Sequence, residues 1–317
     1  MKPPELKEQL FELPKHSNYN IIILTAGSIR HKRFALRMQR EFPELVVAWY
    51  EYDNTVKSMY ESKFDKKIKI KESKSNRIFK IIRYIYKNIV RLIKNPKSIK
   101  YIFKKINDYL VIRKYNADFN IIEMETFGNE VKSLEKFSIV EKQKINPTDI
   151  NKPEFCKILK KYNAYFLVSL GGPLLYNRVI SSVNGLALNQ HAGHSPNYRG
   201  SRTIEWALYH RDIKSLSNTV HLTTTSADSG PILRRSNICI HPDDKPQKLF
   251  IKSVALGTEL MIEVINEIIN KENIMVFDQP KSIGTTYLRK ELSKNILVAI
   301  AKDFNNGWLK NAIRRQW

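Results

Sequence analysis

Three side chains in the second half of the chain have the types and spacing for acyl-transfer chemistry: Asn189, His191 and, about 40 residues further on, Asp228. A carboxamide N–H can donate to a developing oxyanion, and one such donor is typically worth ~3 kcal/mol. An imidazole with an ordinary pKa near ~6.5 can carry a proton at neutral pH. A carboxylate beside it can hold the tautomer, stabilise the imidazolium, or relay a proton through water. Taken singly, each residue also has a plain structural reading. Asn at a strand end commonly forms a turn, and Asp before Ser229-Gly230-Pro231 commonly accepts hydrogen bonds within one. The ordered set, with Pro196, Tyr198-Arg199-Gly200 and Asp228-Ser229-Gly230-Pro231-Ile232-Leu233, is what carries the functional reading.

The elements that must position these groups can be read around them. The apolar run 185–188 reads as a buried parallel strand. It delivers Asn189 and His191 to its C-terminal end, two positions apart and so on one side of the extended backbone. A loop with Gly193, Pro196 and Gly200 leads to a helix over 203–209, and a second strand over 218–224 leads to Asp228. All three groups are thus expected beyond the carboxyl ends of two strands, the edge where open α/β sheets bind ligands.

These positions resemble the 10-formyltetrahydrofolate-dependent formyltransferases, whose pattern is N-x-H, a short P-x-x-x-G loop and a downstream D-x-G-x-I. Asn189, His191, Pro196, Gly200, Asp228, Gly230 and Ile232 stand at the matching places. The family includes glycinamide ribonucleotide, methionyl-tRNA and nucleotide-sugar formyltransferases and formyltetrahydrofolate deformylase. Ala192-Gly193-His194-Ser195-Pro196 replaces the common apolar Pro-Ser-Leu-Leu-Pro. The resulting H-x-G-x-S-P-x-Y-R-G loop resembles a less characterised bacterial branch, a departure that bears on the acceptor more than on the reaction.

The resemblance implies a formyl donor, 10-formyltetrahydrofolate, attacked at its formyl carbon by a primary amine without a metal ion. It assigns catalysis to Asn189, His191 and Asp228. It assigns the folate pocket to Leu170, Gly171, Gly172, Pro173, Thr225, Ala227 and Gly230. Gly27 and Ser28 match a Gly-Ser pair that holds substrate phosphate in the phosphoribosyl members. His194, in an exposed loop on this reading, is a candidate for acceptor contact together with Tyr198 and Arg199; Arg199 either binds an anionic group or pins the loop. His221, mid-strand, is assigned to packing, and Ser195 lacks the elbow motif of a nucleophile.

A chain of 317 residues suits one large or two modest domains, and a 42% hydrophobic fraction is that of a folded core. No apolar run approaches the ~20 residues of a membrane span, and the N-terminus lacks an apolar signal core, so a cytoplasmic protein is expected. Cys156 and Cys239, far apart, fit a reducing compartment and no zinc site. The net charge of +23 is concentrated: residues 57–114 hold 19 Lys and Arg against 4 acidic residues. That window is a solvated face or a weak contact for polyanions or an anionic membrane.

Along the chain, strands are expected over 19–25, 45–50, 119–124, 165–170 and 232–240, and helices over 30–40, 176–182 and 245–269. The stretch 56–116 reads as an inserted basic helical hairpin broken at Pro96, with a stripe through Ile78, Ile81, Ile82, Ile85, Ile89 and Leu92. A helix near Asn151 should carry Pro153 in its first turn. The expected architecture is an α/β, Rossmann-like formyltransferase fold around a central, mostly parallel sheet. Residues 1–18 are an N-terminal extension, 19–270 the formyltransferase domain and 271–317 a short helical C-terminal extension. That extension is too short for the β-barrel of methionyl-tRNA formyltransferase, which favours a small acceptor, an amino sugar carried on a nucleotide. The alternatives are a formyltetrahydrofolate hydrolase and a non-enzymatic polyanion or lipid binder. Against the hydrolase stands the N-terminal regulatory domain that deformylases usually carry, for which eighteen residues are too few.

Overall fold

The computed structural model describes residues 6–16, 18–52 and 98–314. In chain order the strands are β1 (Glu8–Glu12), β2 (Ile21–Thr25), β3 (Val46–Tyr52), β4 (Lys142–Ile145), β5 (Phe166–Leu170), β6 (Leu186–His191), β7 (Tyr198–Gly200), β8 (Ser217–Leu222), β9 (Ile232–Asn237), β10 (Asn273–Phe277) and β11 (Thr285–Tyr287). The helices are α1 (Ile29–Glu41), α2 (Ser98–Glu135), α3 (Pro153–Lys161), α4 (Asn177–Ile180), α5 (Thr203–Tyr209), α6 (Pro246–Asn270), α7 (Lys294–Asn305) and α8 (Trp308–Arg314).

One sheet of nine described strands organises the chain, in the order β1-β10-β9-β8-β6-β5-β2-β3-β4. The half from β6 to β4 is parallel throughout. Beyond β6 each pairing is antiparallel, so β8 and β10 alone run against the other strands of the sheet. Continuous apolar runs are the mark of strands covered on both faces. In β2, Ile21 and Ile23 face one core with Phe34 and Met38 of α1 and Val254, Met261 and Ile265 of α6. Ile22 and Leu24 face the other, with Phe155 and Leu159 of α3. Pro153 opens α3 as expected, with Lys152 as its N-cap in place of Asn151.

Two sequence expectations are corrected, and a third lies mostly outside the described residues. Residues 119–124 are not a strand but part of the 38-residue helix α2. The reason is the stripe they extend: Phe119 and Ile122 pack at helical spacing with buried Phe127, Val131 and Leu134 against Leu36 and Ile251, leaving Ile121 and Met124 exposed. Ion pairs Arg30–Glu123 and Arg33–Glu130 tie that half of α2 to α1. Of the expected helical hairpin, residues 56–97, including most of the basic window and Pro96, lie outside the described residues. Finally, β8 is antiparallel to β6, with His191 opposite Thr219 and Leu188 opposite Leu222. The carboxyl end of β8 therefore does not share an edge with that of β6.

Residues 8–12 and 273–277, read as flanking extensions, pair with each other as β1 and β10 inside the sheet. α7 and α8 close a smaller core with α5, through Ile204, Leu208, Ile300 and Leu309.

Candidate active site

β6 holds Asn189 and His191 on one face and turns Gln190 to the other, where its Nε2 donates to Val254 O of α6 at 2.8 Å. The loop after β8 then folds back across β6 and brings Asp228 to them. Asp228 is left-handed, with φ 47°, a conformation costing a non-glycine residue on the order of 1 kcal/mol. Four polar groups around its carboxylate hold it there. Oδ1 accepts from Asn189 Nδ2 at 3.1 Å and lies 3.3 Å from His221 Nε2. Oδ2 accepts from the Gly200 N–H at 2.8 Å and lies 3.2 Å from His191 Nδ1. Each carboxylate oxygen thus has one N–H donor and one imidazole nitrogen beside it.

Burial alone would raise this carboxyl. The charge of His191, the His221 contacts and the Gly200 N–H outweigh it and hold Asp228 down at about 2, so it is an anion throughout the physiological range. The second ring nitrogen of His191, Nε2, lies 2.9 Å from Tyr198 O, so each nitrogen faces an acceptor and each is a place for a proton. Asn189 is oriented from behind by Ser169 Oγ, 2.9 Å from its Oδ1. Its Nδ2 faces both Asp228 and His221 Nε2, the latter at 3.2 Å. The N–H groups read from the sequence as free for an oxyanion thus have partners in this arrangement. His221, assigned there to packing, belongs to the polar cluster, although it is as buried as a core residue.

Gly200 is required twice over. Its φ is 89°, and a Cβ would lie 2.3 Å from Tyr287 O of the parallel pair β7–β11. Segments far apart in sequence therefore fix the N–H that reaches Asp228. Gln279 clasps the other side, donating to Asp228 O at 3.0 Å and Gly230 O at 2.6 Å.

The cluster floors a cleft of about 470 Å³. Of the residues proposed from sequence, Asn189, His191, Asp228, Leu170, Gly171, Gly172, Pro173 and Ala227 line it. Gly171 turns the chain away from β5 at φ 58°, and Tyr52 donates to its carbonyl. Thr225 and Gly230 do not line the cleft; a Cβ on Gly230 would meet Leu222 O at 1.8 Å, so its place is in the turn. None of the residues proposed for the acceptor lines it either. Ser28 caps α1 and contacts His31 Nδ1 at 2.5 Å; it is His31 that faces the cleft, with burial and Arg30 pushing its pKa well down. Gly27 sits against Glu51. His194 is not loop-exposed: burial and Arg235 push it to about 4. Tyr198 donates to Asp212 Oδ2 at 3.1 Å and stacks on Tyr287, while Arg199 donates to Ile283 O at 3.1 Å. Both pin the loop.

Sequence reading passed over Arg30, Arg202, Thr203, Phe250 and the stretch Thr286 to Arg289, which wall the cleft. Nothing in their spacing marks them, because each comes from a different element. Among the described residues no cluster of three or more His, Cys, Asp or Glu side chains is placed to hold a metal ion, and no helix is long and apolar enough to cross a membrane.

Comparison with known proteins meets this geometry at the same residues. Residues 125–265 match the family model described as Formyl transferase, a span that holds Asn189, His191 and Asp228. The chain resembles the formyltransferases, as the motif implied. A methionyl-tRNA formyltransferase of Caldanaerobacter subterraneus subsp. tengcongensis is 30% identical over 138 residues, 43% of this chain and 44% of that protein. One from Thermodesulfovibrio yellowstonii is 31% identical over 122 residues, 38% and 39% of the two chains. The chain thus spans less than half the length of these relatives. Among solved structures, a sugar N-formyltransferase from Shewanella sp FDAARGOS_354 superposes with a TM-score of 0.49 at 10% identity, covering 89% of this chain and 87% of that one.

Proposed function

We propose that the protein transfers a formyl group from 10-formyltetrahydrofolate to the primary amine of a small acceptor, an amino sugar carried on a nucleotide. The observation that carries this reading is the single carboxylate, Asp228, holding both Asn189 and His191 at the floor of the cleft. The amine nitrogen bonds to the formyl carbon, the carbonyl becomes an oxyanion, and collapse breaks the bond to the folate nitrogen. One proton leaves the amine and one reaches the folate nitrogen. His191, with Asp228 behind Nδ1, carries it once Nε2 turns from Tyr198 O to the reacting nitrogens.

Asn189 donates to the oxyanion once its Nδ2 is released from His221. The apolar wall of Leu170, Pro173 and Leu174 suits the folate ring, and Arg289 at the rim suits an anionic carrier. The test is incubation with 10-formyltetrahydrofolate and a panel of nucleotide-linked amino sugars. Tetrahydrofolate is followed by absorbance and the N-formyl product by mass spectrometry. Stoichiometric product with one amine and negligible formate without it is expected. Rapid amine-independent formate, lost in His191→Ala, would mean a hydrolase.

A further inference from the structure

Beside the cleft lies a second chamber of about 270 Å³, which adjoins it at Arg30, Arg202 and Phe250, residues that line both spaces. α2 lines it through Tyr115, Asn116 and Asn120, with the buried Tyr115 hydroxyl beside Arg202 and Glu205, and α5 lines it through Glu205. Arg30 is fixed: NH1 donates to Glu123 at 2.9 Å and the guanidinium sits 5.5 Å from the ring centres of both Phe119 and Phe250. Glu205 is 2% exposed, and its Oε1 pairs with Arg202 NH2 at 2.6 Å. Its other oxygen, Oε2, is buried and has no hydrogen-bond partner among the described residues, and the same holds for Arg202 Nε. Leaving a buried polar atom without a partner is costly, so such atoms mark either strain or a place for a ligand.

The character of the chamber selects the ligand. Its two arginines are each matched by a glutamate, so it offers no net charge to attract a phosphate or an ammonium group. Glu205 would repel the first, and Arg30 and Arg202 the second. What remains unpartnered is one acceptor and one donor belonging to a single ion pair. A hydroxyl both donates and accepts, and two adjacent hydroxyls satisfy both atoms together. Resting on the formyl-transfer reading of the cleft, we infer that this chamber seats adjacent hydroxyls of the acceptor sugar, one donating to Glu205 Oε2 and its neighbour accepting from Arg202 Nε. Glu205 is then a specificity-determining residue, outside the reacting centre.

The substitution that tests this is Glu205→Gln. Arg202 NH2 demands an oxygen, so the glutamine must turn its NH2 group toward the chamber, and an acceptor becomes a donor. The probes are a UDP-linked amino sugar with two adjacent free hydroxyls and its singly deoxygenated analogue. Calorimetric binding and kcat/KM are measured for both on the wild type, Glu205→Gln and Arg202→Lys. The wild type should prefer the hydroxylated sugar by roughly tenfold to a hundredfold, as a hydrogen bond to a charged group implies. Glu205→Gln should erase that preference, and Arg202→Lys, which lacks Nε–H, should reduce it. In Glu205→Gln the KM for 10-formyltetrahydrofolate should not move, because Glu205 does not line the cleft.

A preference that survives in Glu205→Gln, or a change confined to the folate KM, overturns the subsite. So does a wild type that binds both sugars equally, whether or not the variants fold, or one that binds neither. Glu205-dependent binding without N-formyl product overturns the formyl-transfer reading and leaves the subsite standing. Transfer without Glu205-dependent discrimination does the reverse.

Discussion

Two carboxylates are anchored to the same loop, Asp228 through the Gly200 N–H and Glu205 through Arg202, and they are treated in opposite ways. Asp228 has four polar neighbours, Asn189, His191, His221 and the Gly200 N–H, and its pKa is held at about 2. Glu205 has one partner, Arg202, and burial pushes its carboxyl up. The difference separates two uses of a buried acid. A carboxylate with both oxygens engaged is a fixed part of the machinery, positioned before substrate arrives. One with an oxygen left over is completed only by something that enters.

Breaking the saturated site should have the largest effect. Asparagine at 228 keeps the left-handed φ at little cost but offers one acceptor oxygen where Asp228 uses two, and carries no charge. Asp228→Asn should lower single-turnover formyl transfer on the order of a thousandfold, as when a carboxylate behind a catalytic imidazole is lost. His191→Ala should abolish turnover while the protein still melts cooperatively. Asn189→Ala should cost at least ~100-fold. Near-wild-type rates in any two of these variants would sink the assignment. His221→Gln should cost less, about tenfold, because it removes one Asp228 contact and leaves the His191 contact intact.

The two acids also leave opposite marks on stability. Asp228 has a folded pKa below its ordinary 3.8, so the stability it contributes is present above about 4 and lost as pH falls toward about 2. That is worth roughly 2 kcal/mol. Denaturant melts at stepped acid pH should show this fall in the wild type and not in Asp228→Asn. Glu205 has a folded pKa raised above 4.5, so its contribution is present below that value and lost as pH rises through the folded one. Glu205→Gln should therefore leave neutral-pH stability equal or slightly raised, the smallest effect of the set. A large loss there would mean that the Arg202–Glu205 pair is structural.

Much of this was legible in the chain itself. The runs at 21–25, 166–170 and 186–188 are apolar on both faces because they are covered by helices on both, and that pattern alone marks a largely parallel sheet. The ordered Asn189, His191 and Asp228 were visible for the same local reason, since a strand end and a turn each expose side chains at fixed spacing. The helix over residues 119–124 was not, because six apolar and polar residues fit either period and only the packing of Phe127, Val131 and Leu134 decides.

What the sequence by itself determined was therefore the sheet, its two covered faces and the three groups at its centre. Tertiary structure decided the rest. It made β8 antiparallel, so that Asp228 reaches Asn189 by a returning loop and not from a shared strand edge. It drew His221 into the cluster, and it set Gly200 against Tyr287 from the far end of the chain. It also placed Arg30, Phe119, Arg202, Glu205 and Phe250 around one chamber. Those residues lie in four different helices or at their caps, and no local periodicity links positions that only packing brings together.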